Sequence, residues 1–141
     1  MWRHIRDNLV EWSVLRFVVV GIGNTIVGLS VIYAGKWLGQ WGDVLANLLG
    51  YTGGFLMSFV LNQRWSFQYH GRPGPAFVRF LAVIAVAYLL NLIVVVSSRD
   101  LLHLNSYLAQ ALGIIPYMIF GYLGSRFFTF PRIADTQEQA T

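Results

Sequence analysis

The chain has 141 residues, of which 56% are hydrophobic and 11% are charged, and its formal net charge is +4. With a mean hydropathy of +0.56 it is too apolar for a soluble domain of this length, and lipid is the solvent that suits it. The absence of cysteine excludes disulfides, thiolate metal sites and a thiol nucleophile.

Four stretches of the chain lack Asp, Glu, Lys and Arg over about 19 residues each, which is enough for a helix to cross a hydrocarbon core of roughly 30 Å. They begin at Phe17, Val44, Phe80 and Tyr107. We therefore predict an all-α membrane protein with four transmembrane helices, at about 17–35, 44–62, 80–98 and 107–127.

Three regions follow along the chain. Residues 1–15 precede the first span and could form a short amphipathic helix on the membrane surface, or serve only as a topogenic leader. Residues 16–131 form the predicted four-helix membrane domain. Residues 132–141 are polar, and we expect a flexible cytoplasmic tail there.

Orientation is indicated by the basic residues, which concentrate in the N-terminal segment, the middle loop and the C-terminal segment. The two other loops hold only Lys36 and Arg99. By the positive-inside rule both termini lie in the cytoplasm. The positive net charge then reflects segments held near an anionic inner leaflet, and no pattern for binding nucleic acid is present.

An internal repeat is indicated when the chain is shifted by 63 residues. The shift lays Arg16-Phe17 on Arg79-Phe80, Leu49-Gly50 on Leu112-Gly113, and Phe67 on Phe130. Each unit contains an even number of helices, so the halves have the same orientation. The sequence therefore predicts two parallel two-helix repeats related by an axis along the membrane normal.

Small residues recur every four positions along the second helix, which lets helix backbones approach closely. They are Ala46, Gly50, Gly54 and Ser58, and the shifted positions are Ala109, Gly113, Tyr117 and Gly121. Tyr117 replaces a small residue and is expected to protrude into a cavity, and Pro116 beside it is a candidate hinge. Ordinary packing and an ordinary kink explain the same residues.

Polar side chains at membrane depth usually face a partner helix or a wet cavity. They are Asn24, Thr25, Asn47, Asn91 and Gln110, with Asn62 at the end of the second helix. Asn24 and Asn91 lie on repeat-related faces and could meet across the axis. A polar path between the leaflets is one interpretation, and interhelical hydrogen bonds that fix the packing are the other.

No Asp, Glu or His lies in the four predicted spans. Because hydrolytic or proton-coupled chemistry needs an ionisable group at its centre, we expect neither an enzyme nor a bound cofactor or metal.

Two similar motifs leave the second and fourth helices, NQRWSF at 62–67 and SRFFTF at 125–130. Together with GIGNT at 21–25 and the Arg-Phe pair that begins the third helix, they make residues 14–131 resemble the GtrA-like family of small four-helix membrane proteins. The chain departs from the family pattern at Gln63, where a basic residue is usual, and at Ser125 and Phe128.

The resemblance implies a flippase that moves polyprenyl-phosphate-linked sugars across the bacterial inner membrane for O-antigen or other surface polysaccharides. An undecaprenyl-phosphate hexose is the expected type of substrate. Arginine suits bidentate phosphate contacts, so the candidate headgroup residues are Arg16, Arg64, Arg79 and Arg126. Candidate interface aromatics are Trp65, Phe67, Tyr117 and Phe128. The positive-inside rule alone also explains the arginines, and membrane anchoring also explains the rings.

A second interpretation is a membrane adaptor that does not transport but recruits or stabilises a glycosyltransferase. A homodimer would use the small-residue faces of the helices to build a larger path through the bilayer.

Overall fold

The computed structural model describes residues 2–132, and their side chains from Glu11 onward. The backbone in this range forms four α-helices: α1 is Trp2–Leu38, α2 Asp43–Leu61, α3 Pro73–Asp100 and α4 Ser106–Gly124. All four are long and apolar enough to cross a membrane. The prediction of an all-α membrane protein with four spanning helices is confirmed. Residues 133–141 of the predicted tail lie outside the described range.

Two helices begin earlier than the sequence predicts. α1 contains the N-terminal segment as part of one continuous helix, and no proline or glycine in residues 2–16 interrupts it. At a rise of about 1.5 Å per residue, α1 is about 55 Å long and exceeds a hydrocarbon core of roughly 30 Å. α3 begins at Pro73 because proline, which lacks an amide hydrogen, is well tolerated in the first helical turn.

Both shorter helices continue into a π-helical turn. Asn62–Ser66 follows α2, and Ser125–Thr129 follows α4. We call these segments the first and the second exit turn. Each is closed by a hydrogen bond between residues five apart, from the Phe67 amide to the Asn62 carbonyl at 2.9 Å and from the Phe130 amide to the Ser125 carbonyl at 2.8 Å.

The chain divides into two compact units, Met1–His70 and Gly71–Thr141. In the first, α1 packs against α2 and the first exit turn, and in the second, α3 packs against α4 and the second exit turn. A pair of buried phenylalanines joins helix to exit turn in each unit. The ring centroids of Phe17 and Phe67 are 6.0 Å apart, as are those of Phe80 and Phe130. The two pairs are separated by 63 residues, the offset of the predicted repeat.

Glycines permit the close approach of helices inside each unit. A Cβ atom on Gly50 would lie 2.8 Å from the Gly28 carbonyl oxygen, and one on Gly113 would lie 2.6 Å from Cγ2 of Val95. Gly54 and Gly121 are also buried. The small-residue face of α2 therefore packs inside its own unit, and α4 runs through Pro116 without a break.

The ends of α1 and α3 are terminated in the same way. Gln40 and His103 both have a φ of 52°, in the left-handed region. The next residue in each case donates a hydrogen bond to the carbonyl six residues earlier, from Trp41 to Gly35 at 3.0 Å and from Leu104 to Ser98 at 3.1 Å. This is the Schellman ending, in which glycine is the usual left-handed residue.

Glycine at either left-handed position should therefore stabilise the protein. We expect Gln40→Gly and His103→Gly each to raise the free energy of unfolding by about 0.5–1 kcal/mol, because a side chain is strained in this conformation. The measurement is unfolding by sodium dodecyl sulfate in mixed micelles. Ala34→Gly, at an exposed position inside α1, is the control and should lower stability by about 0.5–1 kcal/mol. If all three substitutions changed the free energy of unfolding in the same direction, strain at the two left-handed residues would not be its cause.

Candidate functional site

Arg16 binds the first exit turn. Its Nη1 atom donates a hydrogen bond to the Trp65 carbonyl oxygen at 3.2 Å, and its guanidinium carbon lies 5.7 Å from the centroid of the Trp65 ring. The carbonyl at the end of a helix carries partial negative charge, so the cation is favourable there. Arginine has five N–H donors, and this arrangement leaves most of them available to a ligand.

Arg79 holds the corresponding position in the second unit. Its guanidinium carbon lies 6.0 Å from the centroid of the Phe128 ring. Arg79 and Phe128 are each 63 residues after Arg16 and Trp65, so an arginine over an aromatic ring recurs at the predicted offset. Both arginines are half-buried and both rings are exposed. Each unit thus presents a cation and an aromatic surface at one end.

The two arginines inside the exit turns differ from each other. Arg64 is exposed, whereas Arg126 is only 7% exposed and its guanidinium carbon lies 5.3 Å from the centroid of the Phe127 ring. The reason is register, because Arg126 matches Gln63 under the 63-residue offset and Arg64 matches Phe127. Both are predicted headgroup residues, and of these two only Arg64 is exposed.

Three buried hydroxyls in the exit turns were missed by sequence reasoning. Ser66, Ser125 and Thr129 are each at most 3% exposed, and their hydroxyl oxygens make no hydrogen bond to any other described residue. Asn62 is 1% exposed; its Nδ2 atom donates to Ser58 Oγ at 3.2 Å while its Oδ1 atom accepts nothing within the same range. The four-residue spacing from Ser58 to Asn62 and Ser66 was the available signal.

Unsatisfied buried polar atoms are uncommon in folded proteins and often mark water, ion or ligand positions. π-helical turns are also frequent at functional sites. Each exit turn combines both features with an arginine over one of its aromatic rings, so each is a candidate functional site within its own unit.

Two asparagines of the predicted polar path point at glycines of the next helix. A Cβ atom on Gly54 would lie 2.2 Å from Oδ1 of Asn24, and one on Gly113 would lie 2.7 Å from Nδ2 of Asn91. Both asparagines are half-buried, and neither carboxamide hydrogen-bonds to another described residue. Each of these polar atoms is therefore packed against the neighbouring helix inside its own unit.

Apart from Asn62, the other predicted path residues are satisfied locally or lie at the surface. Thr25 Oγ1 donates to the Gly21 carbonyl at 3.1 Å, and Asn47 Nδ2 donates to the Asp43 carbonyl at 2.8 Å, both within one helix. Gln110 is exposed near the start of α4, and Tyr117 is half-buried on the same helix.

Near Asn47, Lys36 and Asp43 form an exposed ion pair at 2.5 Å that joins the end of α1 to the start of α2.

Comparison with known families agrees with the geometry. The family model described as the GtrA/DPMS transmembrane domain matches residues 16–130, from the arginine over the first exit turn to the phenylalanine that closes the second. No curated protein matches the chain. Because the family match covers most of the sequence and all four spanning helices, the chain belongs to the GtrA/DPMS transmembrane domain family, a family of polyprenyl-phosphate-sugar translocases.

Proposed function

We propose that this protein is a flippase that carries polyprenyl-phosphate-linked sugars, of the undecaprenyl-phosphate hexose type, across the bacterial inner membrane for cell-surface polysaccharide synthesis. The observation that carries the proposal is the recurring pair of an arginine over an exposed aromatic ring, Arg16 with Trp65 and Arg79 with Phe128. Both termini and both exit turns would face the cytoplasm.

The substrate presents a phosphodiester anion, several hydroxyls and a long apolar tail. Arginine forms bidentate contacts with phosphate, and aromatic rings stack on the apolar face of a sugar. We assign phosphate capture to Arg16 and Arg79, with exposed Arg64 as an additional cation. When a phosphate approaches Arg16, its guanidinium exchanges its contact with the Trp65 ring for the anion, and that ring becomes free for the sugar.

Beyond the arginines the headgroup needs neutral polar partners. Asn24 is eight residues from Arg16, and Asn91 is twelve residues from Arg79, which corresponds to about 12 and 18 Å along a helix. Carboxamides provide neutral donors and acceptors that suit sugar hydroxyls. Residues 17–35, 44–62, 80–98 and 107–125 contain no Asp, Glu, His, Lys or Arg. We therefore propose that transport needs no coupling ion. Net movement of the lipid-linked sugar is then driven by its synthesis on one face of the membrane and its consumption on the other.

Reconstitution of the purified protein into liposomes tests this function. We expect it to accelerate the movement of a polyprenyl-phosphate hexose between leaflets relative to protein-free vesicles, because the headgroup then crosses beside polar side chains rather than through bare lipid. Movement is measured with a membrane-impermeant reagent. Substrate in the inner leaflet is protected from this reagent, and the protected fraction falls as substrate moves outward. Protein-free vesicles with the same lipids are the control. No acceleration by folded protein would contradict the proposal and favour the adaptor that binds a glycosyltransferase.

A further inference from the structure

An apolar groove lies between α3 and α4 in the second unit. Its volume is about 180 Å³, and it is lined only by apolar residues: Ala82, Val83, Val86, Phe120, Gly124 and Phe128. Pockets that enclose whole small molecules measure roughly 300–1,000 Å³. The groove is therefore suited to a segment of a hydrocarbon chain and not to a sugar.

The groove begins next to the positively charged side chain of Arg79. Phe128 lines it and also lies beneath the guanidinium of Arg79, 6.0 Å from ring centroid to guanidinium carbon. Arg79, Ala82, Val83 and Val86 follow the spacing of one helix face, so the groove extends about 10 Å along α3 from the arginine. An occupant with one anionic end and one apolar chain matches both features.

Two residues that line the groove are smaller than their counterparts in the first unit. Under the 63-residue offset Gly124 matches Leu61, and Ala82 matches Val19. Gly124 also lies close to α3, since a Cβ atom there would be 2.7 Å from Cγ1 of Val83. Val86 and Phe120 remain partly exposed, so a chain can enter from the side.

We infer that this groove holds the first isoprene units of the polyprenyl chain while Arg79 holds the phosphate. The second unit then binds the lipid part of the substrate, and the first unit, with Leu61 and Val19, does not. The choice of an isoprenoid occupant rests on the proposed function. The place of the groove beside a cation does not depend on transport.

The test is photolabelling of the full-length protein in vesicles of phosphatidylethanolamine and phosphatidylglycerol. The probe is polyprenyl phosphate with a diazirine in the isoprene unit nearest the phosphate, and labelled residues are identified by mass spectrometry. We expect labels on residues 82–86 and 120–128, displaced by unlabelled polyprenyl phosphate. Ala82→Leu should reduce this labelling about tenfold by filling the groove.

Ala85→Leu is the matched control, because Ala85 is exposed on α3 outside the groove lining and should leave the labelling unchanged. Equal labelling of the two variants, or equal displacement by added phosphatidylglycerol, would overturn the inference. Transport is measured on the same vesicles. Groove labelling without transport would support the groove as a lipid site and contradict the flippase proposal. Transport without groove labelling would support the flippase proposal and contradict the groove as a lipid site.

Discussion

Alanine at Gly50 should destabilise the protein by about 1–3 kcal/mol, because the added methyl group overfills the contact between α1 and α2. Its Cβ atom would lie 2.8 Å from the Gly28 carbonyl oxygen and 2.4 Å from Cγ1 of Ile32. The isoleucine side chain can rotate away, but a backbone carbonyl cannot. The helices must therefore separate, and the packing around Gly54 and Asn24 loosens with them.

Gly53→Ala is the matched control, since a Cβ atom at Gly53 has nothing within 4 Å. We expect that variant to be equal to the original protein or more stable by up to about 1 kcal/mol, as alanine favours helix over glycine. Both variants are compared by unfolding in sodium dodecyl sulfate. If Gly50→Ala unfolded at the same point as Gly53→Ala, the close approach of α1 and α2 would not be a source of stability.

The helices were predictable because each span has a strong physical signature, a run of apolar residues long enough to cross lipid. α2 is found at Asp43–Leu61 against a predicted 44–62, and α4 begins at Ser106 against a predicted 107. The early starts were harder to predict. Nothing in residues 2–16 stops a helix, yet their polarity suggested a separate element. Pro73 resembles a loop residue unless its tolerance in the first helical turn is considered.

The exit turns were not predictable from local pattern, since no residue type specifies a hydrogen bond between positions five apart. A π turn adds a residue and rotates the side chains that follow, and this decides which of them are buried. Arg16 and Arg79 lie on regular helices, and their recurrence at the 63-residue offset could be read from the sequence. The 63-residue offset already shows that Arg126 matches Gln63 and Arg64 matches Phe127, so a difference between buried Arg126 and exposed Arg64 could have been predicted from the repeat.

Removal of both Arg16 and Arg79 should slow lipid-linked sugar transport by about 100-fold. A hydrogen bond to a charged group contributes about 1.5–3 kcal/mol, and each 1.4 kcal/mol corresponds to a factor of ten. The lower end of this range for each arginine, about 3 kcal/mol for the pair, corresponds to the expected change of about 100-fold. The measurement is the initial rate of leaflet exchange of a polyprenyl-phosphate hexose by Arg16→Ala/Arg79→Ala protein in liposomes.

Two further variants separate phosphate binding from charge and from folding. Arg72→Ala/Arg99→Ala removes the same charge at exposed positions and should transport at the original rate. Arg16→Lys/Arg79→Lys keeps the charge but loses the bidentate geometry, so an intermediate rate is expected. Arg16→Ala also removes the hydrogen bond to the Trp65 carbonyl, and unfolding curves show whether the first exit turn survives without it. Equal slowing by the two alanine pairs would mean that the arginines act through net charge alone. Their position over the aromatic rings would then have no role in capturing the headgroup.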